Sequence, residues 1–337
     1  MTAMLETHPA VTAATSSPAG SRELLVTRVN LEAEDVVSIE LADPERRELP
    51  GWTPGAHLEV ALPSGLLRQY SLCGDPQDRS SYTVAVLREA SGRGGSRELH
   101  DTGLVGKRLN VNGPRNHFTL VSSPRYVFIA GGIGVTPILA MVRSLGDDVP
   151  WVLHYGGRTR TTMAFLEDLI AIGGDRVAIV PQDDLGVLDV DAIVSAATGS
   201  TAIYCCGPAP LLAAVQESHD RLAPDASLHL ERFAPSLIGS RAEIPPGDSR
   251  AVEVVLRRSG CTLEVGPETS ILDAIRSVVP GMPYSCTEGY CGSCELSVVE
   301  GVPDHRDEIL TPEERVQGKT MFPCVSRALS ERLVLDV

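Results

Sequence analysis

The sequence predicts a multidomain chain: an antiparallel β-barrel, then an α/β domain built on a parallel sheet, then a small C-terminal α+β domain. Three observations carry this. Short alternating apolar segments broken by Gly and Pro occupy residues 23–120. From Arg125, continuous apolar strands alternate with helical stretches. After a Pro/Gly-containing stretch come four cysteines with an uncommon spacing. Short, evenly spaced strands of period two close into barrels, whereas alternating strands and helices require crossovers and therefore a parallel sheet.

In the first region Leu24–Val29, Val36–Leu41, His57–Leu62 and Tyr82–Leu87 alternate as half-buried strands do. In the second, Tyr126–Ala130 reads as a buried strand and Pro137–Leu145 as a helix. Trp151–Tyr155 is a strand and Met163–Ile170 a helix. Val177–Val180 and Ala202–Cys205 are strands, and Leu211–Ser218 is a helix. Residues 236–250 have linker composition. A hairpin follows, Val252–Arg257 and Thr262–Val265. Next comes a helix start at Ser270 with Asp273 in capping-box position, and a second capped start at Thr311-Pro312-Glu313-Glu314. The expected boundaries are a disordered tail over 1–20, the barrel over 21–122, the α/β domain over 123–235, the linker over 236–250 and the last domain over 251–337.

The chain has 337 residues, 43% of them hydrophobic, which is enough to bury several cores. Its net charge of -15 argues against nucleic acid or an anionic membrane as a partner and permits docking to a basic protein surface. Residues 251–337 hold 14 acids against 8 Lys and Arg, a net of -6. That reads equally as a docking surface or as ordinary solubilising charge. The apolar run Tyr126–Val142 is too short and glycine-rich for a membrane span. No secretory signal is visible, and Cys73, Cys205, Cys206 and Cys261 do not form a disulfide framework. A reducing, cytoplasmic location and a monomeric state are expected.

Cys286, Cys291 and Cys294 are spaced C-x4-C-x2-C, with Cys324 a long step further on. This is the plant-type pattern for a 2Fe-2S cluster: a tight loop wraps one side and a distant segment closes the other. Structural zinc is the competing reading, but zinc sites pair short C-x-x-C arms. The small residues Ser285, Gly289, Gly292 and Ser293 let backbone N–H groups approach the sulfurs. Four cysteine ligands leave no open position, so such a cluster carries single electrons and needs a source for them.

Two nucleotide signals precede it. Gly131-Gly132-Ile133-Gly134-Val135-Thr136-Pro137 joins a buried strand to a helix, where phosphate is favoured, with Thr136 as expected N-cap and Pro137 as first helical residue. Cys206-Gly207 ends a later strand, at the carboxyl edge where parallel sheets bind ligands. Cys206 reads equally as a small buried apolar side chain. In the barrel, Arg68, Tyr70 and Ser71 can meet a phosphate, a flat ring and its nitrogen edge, or else be a surface cation and a core ring. Gly92-Arg93-Gly94-Gly95-Ser96 opens a short helix and suits one phosphate, or else is a hairpin tip.

Taken in this order, R-x-Y-S, G-R-G-G-S, G-G-I-G-V-T-P, C-G-P and C-x4-C-x2-C…C, the chain resembles the phthalate dioxygenase reductase family over residues 22–337. Reductase components of aromatic O-demethylases such as vanillate demethylase are the nearest likeness. The resemblance implies an FMN-binding antiparallel β-barrel, an NAD-binding α/β domain and a C-terminal plant-type ferredoxin domain of β-grasp, α+β fold. It implies that Arg68, Tyr70, Ser71, Val86, Leu87, Arg88, Gly95 and Ser96 hold the flavin. It implies that Gly132, Gly134, Thr136, Cys206 and Gly207 serve the nicotinamide nucleotide, and that Phe233 lies near the flavin. Ser71 and Cys206 are then the residues at the reacting atoms. Hydride passes from NADH to the flavin, and single electrons pass through the cluster to a terminal oxygenase. FMN is expected over FAD. NADH is expected over NADPH, although Arg158 and Arg160 follow the second strand of the α/β domain, where a 2′-phosphate would sit. A Rieske-type aromatic oxygenase or O-demethylase is the first expected acceptor and a haem-thiolate monooxygenase the second. A non-catalytic electron carrier or redox sensor is the reading of another class.

Overall fold

The computed structural model describes residues 21–90, 94–233, 250–284 and 286–337. The expected tail, nearly all of the linker, Gly92, Arg93 and Ser285 lie outside the described residues.

Six antiparallel strands form the first sheet: β1 (Ser21–Ala33), β2 (Val36–Ala42), β3 (Ala56–Ala61), β4 (Leu67–Ser71), β5 (Ser81–Leu87) and β6 (Arg108–Asn116), in the order β4-β3-β6-β1-β2-β5. A bridge between Leu72 and Val84 joins the two outer strands, so the sheet curls into a barrel. Alternation gives it a core of Leu24, Val26, Ile39, Leu41, Leu58 and Val84, all almost fully buried. Each such side chain is worth about 1.5–3 kcal/mol of transfer free energy. Between β5 and β6 lies a helix of about two turns, α1 (Gly95–Asp101).

The second unit is a parallel sheet of β7 (Arg125–Gly131), β8 (Trp151–Gly157), β9 (Val177–Pro181), β10 (Thr201–Cys206) and β11 (Ser227–Glu231), in the order β11-β10-β7-β8-β9. From β7 the chain runs outward to β8 and β9, then crosses back to β10. The gap between the carboxyl ends of β7 and β10 is therefore a topological switch point, where such sheets bind ligands.

Two local expectations are corrected. The helix after β7, α2, runs over Val135–Ser144 rather than from Pro137, because Gly132–Gly134 form a 3-10 turn that leads straight into it. Thr136 is therefore inside the helix and not its N-cap. Its hydroxyl donates 3.0 Å to the Ile133 carbonyl instead of accepting from an amide. The next helix, α3, is Leu166–Gly173 and not Met163–Ile170. Phe165 has φ 60, which interrupts helix geometry, while Met163, Ala164 and Phe165 fill the core.

The third unit is a mixed sheet of β12 (Val252–Leu256), β13 (Cys261–Val265), β14 (Leu296–Glu300), β16 (Thr320–Met321) and β18 (Arg332–Leu335), in the order β13-β12-β18-β14-β16. A small pair, β15 (Pro303–Asp304) and β17 (Arg327–Ala328), stands beside it. A helix over Ile271–Val278 lays Ile271, Leu272 and Ile275 on the sheet. It starts as the sequence predicts, with the Ser270 side chain accepting from Asp273 N. The capping box at Thr311 and Glu314 is also present. This is the β-grasp arrangement, and the cysteine loop leads into β14.

Candidate functional site

The three units meet around one cavity of about 610 Å³. The barrel contributes Arg68, Tyr70 and Ser71 from β4 and Gly95 and Ser96 from α1. The parallel sheet contributes Ile133, Thr136 and the end of β11 through Phe233. The cysteine loop contributes Tyr290 and Cys291. Tyr70 packs against the barrel core, and burial pushes its phenol well above the usual range. A Cβ on Gly95 would lie 2.7 Å from Arg68 Nε, so glycine lets this turn close on the arginine without displacing its side chain. Ser96 Oγ accepts 3.1 Å from Glu89 N, which ties the turn to the end of β5. Of the strand Val86-Leu87-Arg88, only Leu87 faces the cavity. Val86 is buried in the barrel, and Arg88 pairs with Asp101 at 3.2 Å on the outside.

At the switch point the two glycine turns sit back to back. A Cβ on Gly134 would lie 2.3 Å from the Cys206 carbonyl oxygen, so the turns touch through backbone alone. Gly132 has φ 54 and open space around its Cα. Cys206 is fully buried at the end of β10, register partner of Glu231 on β11. Its Sγ is 3.9 Å from Glu231 Oε2. Burial, reinforced by Glu231, pushes the Cys206 thiol up. Burial also raises the Glu231 carboxyl to about 8. Glu231 lines the cavity and was missed in the sequence. Only Phe233, two residues on, carries a signal in the sequence, and nothing local marks the acid as half-enclosed. Phe233 is 39% exposed at the rim.

The four expected cysteines converge. Their side chains contact one another in a row, Cys291 to Cys286 to Cys324 to Cys294. Backbone amides surround them: Glu288 N lies 3.3 Å from Cys286 Sγ and Cys286 N 3.4 Å from Cys291 Sγ. Gly289 N also serves Cys324, and Ser293 N serves Cys291. Gly289 and Gly292 adopt φ 79 and φ 76, a region other residues avoid. Buried Asp307 braces the far side by accepting from Ile309 N at 3.1 Å and Leu310 N at 2.9 Å. Among the described residues no three His, Cys, Asp or Glu side chains converge as ligands of one ion. Four converging thiols are the donor set that a plant-type 2Fe-2S cluster takes.

This loop is seated on the barrel. Gln69 Nε2 donates 2.8 Å to the Cys291 carbonyl and 2.7 Å to Ser293 Oγ, and Ser293 donates 2.5 Å to Glu59. Gly292 packs against the His117 ring. His117 stacks on His57 at 5.8 Å, and burial, then the neighbouring His117 and Arg115, lowers His57 to about 3. Arg232, just past β11, pairs with Glu308 at 3.1 Å.

A domain family described as the 2Fe-2S iron-sulfur cluster binding domain matches residues 254–329. The beta subunit of phenoxybenzoate dioxygenase from Ectopseudomonas oleovorans is 42% identical over 96% of this chain and 99% of its own length. The solved structure of phthalate dioxygenase reductase, a modular structure for electron transfer from pyridine nucleotides to 2Fe-2S, is 34% identical. It covers 94% of this chain and 98% of that one, with a TM-score of 0.67. An intact type IV self-sufficient cytochrome P450 monooxygenase is 40% identical with a TM-score of 0.86, over 96% of this chain but only 43% of that longer one. Both the sequence likeness and the order of the three units run nearly end to end, and this chain belongs to the phthalate dioxygenase reductase family of oxidoreductases.

Proposed function

We propose that the chain is the NADH-dependent reductase component of an oxygenase system, with FMN in the central cavity and a 2Fe-2S cluster on Cys286, Cys291, Cys294 and Cys324. One observation carries the reading: Cys291 and the Arg68–Ser71 strand line the same cavity. When bound, the flavin accepts electron pairs and the cluster carries single electrons. The contacts of Cys286 with Cys291 and of Cys324 with Cys294 support pairing the ligands two by two. Arg68 and the Gly95–Ser96 turn are placed to hold a phosphate, Tyr70 to pack a flat ring and Ser71 to donate a hydrogen bond at its edge. The Gly132–Gly134 turn at the head of α2 suits the nucleotide, and the buried Cys206 would position the nicotinamide through that turn, which its carbonyl abuts. No side-chain acid or base is needed for hydride transfer. The chain divides most simply into 21–122, 123–235 and 251–337.

The acceptor is a terminal oxygenase, with a Rieske-type aromatic oxygenase or O-demethylase first. A haem-thiolate monooxygenase is the second reading, favoured by the 40% identity to the reductase-sized part of a self-sufficient P450. Among the described residues no helix is long and apolar enough to cross a membrane. The test is the visible spectrum before and after anaerobic NADH. Flavin and iron–sulfur bands should both bleach. A flavin band that bleaches beside an iron–sulfur band that does not would overturn the serial path.

A further inference from the structure

The contact between the barrel and the cysteine loop contains a buried polar knot that cofactor binding does not explain. Glu59, on β3, is 1% exposed. Its Oε1 accepts 3.0 Å from Asn112 Nδ2 on β6, and its Oε2 accepts 2.5 Å from the Ser293 hydroxyl. Gln69, the register partner of Glu59 on β4, donates to the same hydroxyl oxygen at 2.7 Å and to the Cys291 carbonyl at 2.8 Å. Two adjacent barrel side chains thus grip one serine that stands between two of the cysteines. A buried carboxylate is costly unless its partners are all present, so this contact is specific and not incidental.

Ser293 has a single hydroxyl proton. Its oxygen lies 3.6 Å from Cys291 Sγ and 2.5 Å from Glu59. The proton can serve the carboxylate or the sulfur, not both, and the docked geometry gives it to the carboxylate. Hydrogen bonds to ligand sulfur favour the reduced, more negative cluster and raise its potential.

We propose that Glu59 and Gln69 are positioning residues that dock the ferredoxin domain on the flavin barrel, and that Glu59 withholds the Ser293 proton from Cys291 while the domain is docked. This rests on the reading of Cys291 as a cluster ligand. Undocking frees the hydroxyl to turn toward the sulfur. Docking and cluster reduction are therefore coupled in both directions: an undocked cluster has the higher potential, and the arrival of one electron from the flavin weakens docking. The electron that must next leave for the acceptor loosens the domain that carries it.

The test uses the full-length protein with flavin and cluster bound. Cluster potentials are read by electron paramagnetic resonance during redox titration, and domain spread by small-angle X-ray scattering. Glu59→Gln keeps the shape but no longer draws the serine proton. It should raise the potential and lower the docked-to-extended ratio by about tenfold, as loss of a buried charged hydrogen bond implies. Gln69→Leu should do the same by a separate route. Ser293→Ala alone should leave the potential at the wild-type value, and the Glu59→Gln shift should vanish when combined with it. A Ser293→Ala variant whose potential falls would overturn the proposal, because the hydroxyl would already be serving the sulfur. So would wild-type potentials in both Glu59→Gln and Gln69→Leu. Absence of any iron–sulfur signal in the wild type would instead sink the underlying assignment of the cysteines.

Discussion

Cys206 and Glu231 face each other across adjacent parallel strands, thiol to carboxyl at 3.9 Å, and the Cys206 carbonyl abuts Gly134 in the turn that leads into α2. Burial holds Glu231 protonated up to about pH 8, against an ordinary value of 4.5. Between those two values the folded chain binds more protons at this position than the unfolded one. Stability therefore declines as pH rises from 4.5 to 8 and levels off above. Glu231→Gln, neutral throughout, should gain on the wild type progressively across that window. Urea unfolding at each end measures the difference, and a pH-independent difference between the two proteins would contradict it.

Cys206→Ser should slow flavin reduction by NADH, on the order of tenfold, by disturbing the packing behind the Gly132–Gly134 turn proposed to hold the nucleotide. Flavin content should stay at the wild-type level, since Cys206 is fully buried and is not among the residues that line the cavity. Anaerobic stopped-flow traces read the rate directly.

Gly134→Ala should be far more damaging than its size suggests. The added methyl would meet the Cys206 carbonyl oxygen at 2.3 Å, backbone against backbone, with no flexible side chain to move aside. Overpacking of this kind costs about 1–3 kcal/mol. Thermal unfolding and NADH titration should show both lowered stability and weakened nucleotide binding.

Cys324→Ser should remove the iron–sulfur bands and abolish transfer to a protein acceptor, while NADH-to-ferricyanide activity persists through the flavin. Equal loss of both activities in a folded, flavin-loaded variant would break the serial order.

Arg68→Ala should weaken flavin retention by about tenfold, because it removes a charged donor from the proposed phosphate site. Equilibrium dialysis against FMN measures it. Unchanged affinity would leave the Gly95–Ser96 turn as the phosphate site on its own.

Much of this was legible in the chain itself. The switch from period-two segments to alternating strands and helices marks the barrel and the parallel sheet. The C-x4-C-x2-C spacing marks a loop whose geometry depends on residues a few positions apart. Ser270 and Thr311 cap the helices they were expected to cap, because capping is a local hydrogen bond within four residues. Thr136 did not, because the preceding glycines coil into a 3-10 turn that carries helix geometry past it.

What the sequence by itself determined is the inventory: three units, their order, the four cysteines and the glycine turns, all set by interactions over a few residues. Tertiary structure alone decided that these parts share one cavity and which side chains join them. Glu59 and Ser293 are 234 residues apart, and Gln69 and Cys291 222. The cysteine motif marks Ser293 and Cys291, but nothing in the neighbourhood of Glu59 or Gln69 marks either as their partner. Only the fold places a carboxylate out of water beside a hydroxyl, and burial is what turns that pair from a solvated surface contact into a specific link between the flavin side and the cluster side.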